Sequence, residues 1–167
     1  PERGAKRKLL DQALMNAREA LGRRLSESTA QRKLLEGVAE IFGLESTPER
    51  IEIYDNSHIS GMNAVGAMVV AGTSGFMKNA YRKFTIRTTT SGEIALGDDY
   101  GMMREVLSRR FTRALKEDPE RASTSWPDLL LIDGGAGHLN AALETLADLG
   151  LSDLPVITIA KGANRSA

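Results

Sequence analysis

"PDLLLIDGGAGHLNAALETLADLG", residues 127–150, is the stretch on which the fold turns. Leu129 to Ile132 form an unbroken apolar run, the pattern of a strand buried on both faces, as in a parallel sheet. The run stops at Asp133, followed by two glycines. From His138 the spacing becomes helical and continues to Gly150. "PVITIA", 155–160, then reads as another strand. Strand, crossover helix and strand make a right-handed parallel unit. A carboxylate at the exit of such a strand sits at the sheet edge where open α/β sheets bind their ligands.

Upstream, "IEIYD" (51–55), "NAVGAMVVA" (63–71) and "AYRKFTI" (80–86) have period two and are joined by short glycine-containing links. They predict an antiparallel meander. "TTTSGEIALG" (88–97) and "EDPERASTSWP" (117–127) read as loops. Between them a helix is expected from Asp98 or Asp99 to about Lys116, burying Met103, Val106, Leu107, Phe111 and Leu115. Two amphipathic helices are expected before the first strand. One covers 5–24; the other is capped by Ser28 and closed by Gly43. The domain reading is a helical segment over 1–50 and an α/β domain over 51–167. The order βββαβαβ is the pattern of the ribonuclease H-like fold, a mixed five-stranded sheet flanked by helices.

Composition narrows the classes. The chain has no cysteine, so it has no disulfide, no thiolate nucleophile and no cysteine-ligated zinc. "PERGAKRKLL" lacks the apolar core of a signal peptide, and no run reaches membrane-spanning length, so a cytoplasmic protein is expected. The abrupt start on Pro1 and stop on "KGANRSA" suggest a piece of a longer protein. Formal net charge is zero, but residues 1–24 hold seven Lys/Arg against three Asp/Glu. Lys78, Arg82, Lys83 and Arg87 form an acid-free run able to meet phosphates. Rossmann, P-loop and zincin fingerprints are absent.

The chemistry lies with the carboxylates. Asp55 ends the first strand and Asp133 the fourth, and the topology sets those strands side by side and parallel. Two adjacent carboxylates repel, and a divalent cation between them removes the repulsion. Hard oxygen ligands suit Mg²⁺ or Mn²⁺. Gly134 and Gly135 let the backbone turn and a phosphate approach. Asp98 and Asp99 open the next helix. One is expected to cap it and the other to join the site.

"YDNSHISGMNAVGAMVV", "YRKFTI", "GDDYGMMREVLSRR", "PDLLLIDGGAGHLNAA" and "AKG" resemble, in order and spacing, the C-terminal endonuclease domain of the UvrC family, a component of the bacterial UvrABC excision nuclease. The resemblance extends upstream through "PERGAKRKLL" and "NAREAL". It implies a ribonuclease H-like, metal-dependent endonuclease making the incision 5′ to a DNA lesion in nucleotide excision repair. The partners it implies are lesion-bearing duplex DNA and the UvrA and UvrB proteins. The family's carboxylate triad falls on Asp55, Asp99 and Asp133, as catalytic residues and as ligands of Mg²⁺ or Mn²⁺. A further histidine of the family lies downstream of the last residue, Ala167. The chain departs from the family at Asn56, where an apolar strand residue is usual, at Ala136, where a lysine is common, and at His138.

Further residues expected near the site or the DNA are Asp98, Ser57, His58, Arg82, Lys83, Arg104, Arg109, Arg110, Gly134, Gly135, Lys161 and Arg165. Each has a plainer role beside it. Histidines are often satisfied structurally, exposed arginines often form a solvated helix face, and Tyr100 and Trp126 are as readily packing residues as base-stacking ones. The competing functional reading is a ribonuclease H-like scaffold that binds DNA or partner proteins without chemistry.

Overall fold

The computed structural model describes residues 2–59, 63–86 and 98–160. The chain divides into two compact units: residues 1–47 with 73–75, and 48–72 with 76–167. No described helix is long and apolar enough to cross a membrane.

The first unit is built on one helix, α1 (Glu2–Phe42). The sequence predicts two helices there, and the difference has a local cause. No proline interrupts the segment, and "RRLSESTAQRK" contains nothing that forbids helical φ and ψ. Ser28 therefore lies inside the helix and caps nothing, while Gly22 and Gly37 are tolerated within it at about 1 kcal/mol each. Gly43 does close the helix, with φ +64°, and the Leu44 N–H donates to the Ala39 carbonyl at 2.9 Å.

The second unit holds the sheet. The strands are β1 (Arg50–Ile59), β2 (Asn63–Gly72), β3 (Gly75–Phe76, of which Gly75 is grouped with the first unit), β4 (Arg82–Thr85), β5 (Leu129–Asp133) and β6 (Val156–Ile159). The order is β3-β2-β1-β5-β6, with β4 also pairing β2. β1 runs antiparallel to β2 and parallel to β5, and β6 is parallel to β5. The mixed ribonuclease H-like sheet is thus present, with six strands in place of the five predicted. The expected third strand is β4; the extra strand is the two-residue β3, which lies in the link before it and is separated from it by a 3₁₀ turn at Lys78–Ala80. Arg82 reinforces that turn, since its Nη1 donates to the carbonyls of Asn79 (3.2 Å) and Tyr81 (2.8 Å).

Helices α2 (Asp99–Glu117) and α3 (Ala136–Asp148) pack on one face of the sheet. The core between them is made of Tyr54, Met68, Val70, Met103, Val106, Leu107, Phe111, Leu130, Ile132 and Leu146. These strand residues alternate with ones facing the opposite side, so each strand contributes one set to the helices. Trp126 belongs to this core. Its ring stacks on Phe111 at 5.9 Å, and its Nε1–H donates to Asp118 at 3.0 Å.

Register is set at the sheet's entry edge. The Asp128 carboxylate accepts from the N–H groups of Glu49 (2.9 Å) and Arg50 (3.0 Å), and the Asp128 N–H donates to the Arg50 carbonyl. β1 and β5 therefore start level with one another.

Candidate functional site

From that common start the strands climb in step: Ile51 pairs with Leu129, Ile53 with Leu131 and Tyr54 with Ile132. The next residue on each strand is a carboxylate, Asp55 on β1 and Asp133 on β5. Tyr54 and Ile132 point toward α2 and α3, so Asp55 and Asp133 point to the other face. Asp55 is exposed and Asp133 half-buried. Neighbouring strands run about 4.8 Å apart, so the two carboxylates are side by side.

The row extends across the sheet. Asp55 pairs with Ala67, and Ala67 with Lys83. Paired residues share a face, so Lys83 stands two strands from Asp55 on the carboxylate side. Arg82, its neighbour in sequence, pairs with Met68 and points to the α2 side. The two basic residues expected together are on opposite sides of the sheet.

Asp99, the third carboxylate expected there, stands in the first turn of α2. Asp98 is the cap, accepting from the Gly101 N–H at 3.0 Å. Tyr100 sets the helix end against the start of α3: its ring meets His138 edge-on at 4.9 Å. Gly137 makes this contact possible, because a Cβ there would lie 2.4 Å from the Tyr100 ring. α3 begins just after β5 ends, so the Tyr100 contact brings the start of α2 to the exit of the Asp133 strand. Among the described residues no three His, Asp or Glu side chains lie close enough to hold a metal ion. Carboxylate oxygens such as those of Asp55 and Asp133 are hard donors of the kind divalent ions take.

His138 has a defined role at that turn. Its Nδ1 accepts from the Gly135 N–H at 3.3 Å, which leaves Nε2 to carry the proton of the neutral ring. A Cβ at Gly134 would lie 2.4 Å from this ring, so the first glycine of the pair is required by packing.

Other expected residues have structural partners. Arg104 pairs with Glu144 at 3.1 Å. Arg109 donates to the Thr85 carbonyl at 2.7 Å and pairs with Glu105 at 3.3 Å. Arg110 binds Glu52 at 3.0 Å and the Ser125 carbonyl at 2.9 Å. Ser57 and His58 continue β1 opposite Val65 and Ala64. Their side chains, like Lys161, Arg165, Arg87 and the 88–97 segment, lie outside the described residues.

Two further features stand out, one that sequence reasoning missed and one that it marked only as a departure. Glu52 is fully buried and accepts from Arg50 Nε (3.0 Å), Arg110 Nη2 (3.0 Å) and the Tyr54 hydroxyl (2.6 Å). Burial first, and then the Glu52 charge, push the Tyr54 phenol well above its usual range. Burial works to lower the Arg110 guanidinium, but the hydrogen bond and charge of Glu52 outweigh it and raise it. The second is Asn56. It points to the α2 side, close to Gly66 and Val106, and among the described residues neither atom of its buried amide has a hydrogen-bond partner. The only sequence sign of either was a polar residue at an inward position of the alternation.

The family model of the UvrC RNAse H endonuclease domain matches residues 39–167 of the chain. The chain is 64% identical to UvrABC system protein C of Paramagnetospirillum magneticum over 100% of its own length and 26% of that protein's. The values for the Rhodospirillum rubrum protein are also 64%, 100% and 26%. For that of Caulobacter vibrioides they are 58%, 100% and 26%. The chain thus spans about a quarter of the length of these relatives. Among solved structures it is similar to Ciona intestinalis endonuclease V in complex with an inosine-containing 24mer DNA, at 16% identity and TM-score 0.48, covering 89% of this chain and 60% of that one. Human ENDOV is similar at 19% identity and TM-score 0.47, covering 70% and 47%. With the match running from Ala39 through every strand and both helices around the carboxylate edge, the chain belongs to the UvrC RNAse H endonuclease domain family.

Proposed function

We propose that this chain hydrolyses DNA phosphodiester bonds with Mg²⁺ or Mn²⁺ held by Asp55, Asp133 and Asp99. In its parent protein this is the 5′ incision at a lesion during nucleotide excision repair, made in the cytoplasm beside the UvrA and UvrB proteins. The observation that carries the reading is the placement of Asp55 and Asp133 one residue beyond the Tyr54–Ile132 pair, on neighbouring parallel strands and one face. An ion held there would supply an activated water and charge stabilisation for the departing oxygen. The chain's own groups hold the edge in shape: Asp98 caps α2, Tyr100 docks it on α3, and His138 ties down the turn after Asp133. Lys83, on the same face, would meet a phosphate of the strand being cut.

The scaffold reading draws on a different observation, that the described residues do not gather three metal-binding groups. One assay separates the two. Supercoiled plasmid is incubated with the chain and Mn²⁺, and nicking is followed on a gel. The endonuclease reading expects nicking that disappears in Asp133→Asn and in Asp55→Asn. Undiminished nicking in both variants removes the carboxylates from the chemistry. DNA binding without nicking by the normal chain supports the scaffold.

A further inference from the structure

On the α2 side of the sheet, away from the carboxylate face, lies a cavity of ≈ 350 Å³. Five arginines line it: Arg50, Arg82, Arg109, Arg110 and Arg113. Among the described residues three carboxylates answer them. Glu52 is bound by Arg50 and Arg110, Glu105 by Arg109 and Glu117 by Arg113. Five guanidinium charges against three carboxylates leave about two positive charges at the cavity. Arg82 donates to main-chain carbonyls, which carry no formal charge to answer its own. Phe84, Met68 and Ala80 form an apolar wall, and Arg109 stacks on Phe84 at 5.5 Å.

Buried Glu52 explains why the cavity holds its shape. It binds Arg50 and Arg110 from beneath, so both guanidinium groups are fixed before any ligand arrives. Glu52 takes the Nε–H of both arginines and an Nη2–H of Arg110, so a phosphate would meet their other Nη–H groups as charged donors held in place. Two unanswered charges match a phosphate dianion or two successive backbone phosphates. Along α2, Arg109 and Arg113 lie ten and fourteen residues past Asp99, or about 15–21 Å at 1.5 Å per residue. The cavity is therefore separate from the carboxylate edge.

We infer that this arginine-lined cavity between β4 and α2 is a phosphate-binding site. The phosphate is that of a DNA backbone passing beyond the carboxylate edge or of a free mononucleotide, and the two sources share the chemistry. The inference stands whether or not the carboxylates cut DNA.

The test is made on the chain in EDTA, so that the carboxylate edge plays no part. Arginine Nε–H signals are followed by NMR while inorganic phosphate, dAMP or a short DNA duplex is added. The comparison protein carries Arg82→Gln with Arg113→Gln, which leaves Arg50 and Arg110 on Glu52 and so spares the fold. Phosphate or dAMP that shifts the Arg82, Arg109 and Arg113 signals, at tenfold weaker affinity in the double variant, assigns a free phosphorylated ligand. A response to DNA alone, with the log–log salt slope reduced by about 1.8 for two lost contacts, assigns the backbone. Unmoved signals with all three probes, or equal binding by the double variant, overturn the inference.

Discussion

Tyr54 and Ile132 face each other across β1 and β5, and that one register pair places Asp55 beside Asp133. Two ionised carboxylates on adjacent strands repel without a cation between them. Asp55→Asn keeps the side chain's size and removes one charge. Because Asp55 is exposed, the repulsion relieved is small, and metal-free stability should rise by about 0.5–1 kcal/mol. Mn²⁺ should raise the melting temperature of the normal chain through ligand linkage and that of the variant much less. Paired melting curves with and without Mn²⁺ measure this; an equal metal response in the two proteins removes Asp55 from the ligand set.

Gly137 and Tyr100 form a second testable pair. Gly137→Ala should be destabilising despite the better helix propensity of alanine, because the new Cβ would lie 2.4 Å from the Tyr100 ring. It should also lower nicking by displacing the start of α2, where Asp99 stands. With Tyr100→Ala present the clash is gone, and Gly137→Ala should become stabilising by about 1 kcal/mol. A double-mutant cycle by denaturant unfolding gives the coupling; additive effects would show that the ring does not set the helix end.

Asn56 carries a cost the fold can shed. Its buried amide has no hydrogen-bond partner among the described residues. Asn56→Val replaces the amide with an apolar side chain beside Gly66 and Val106, and stability should rise by about 1–2 kcal/mol as an unsatisfied polar group is removed. Urea unfolding midpoints decide the matter, and a loss of stability would mean that the amide is satisfied in solution.

Tyr54 predicts an alkaline limb. Its phenol is held well above the ordinary tyrosine range in the folded chain because it is buried beside Glu52. The folded state therefore holds this proton more tightly than the unfolded state. Its contribution to stability is complete below the unfolded value of about 10 and is lost as pH rises toward the folded value. Unfolding free energy measured from about pH 8 to 11, spanning the unfolded phenol's titration, should fall more steeply in the normal chain than in Tyr54→Phe. Parallel curves would refute the assignment.

The sequence by itself determined the order of the five main strands and of the two helices among them, the two strand-ending carboxylates, and a capping aspartate at the start of α2. These are written in short-range patterns: alternation, helical spacing, and a polar residue where a dry run stops. It also marked Asn56 as out of place without saying why. Tertiary structure alone decided that Lys83, and not Arg82, shares a face with the carboxylates, since that depends on their pairing with Ala67 and Met68. It alone decided that Arg110 is committed to Glu52, 58 residues away. A charge on a helix face looks the same in sequence whether it meets water, a phosphate or a buried carboxylate. The choice is made by what the sheet register brings beneath it, and register is a property of two strands together.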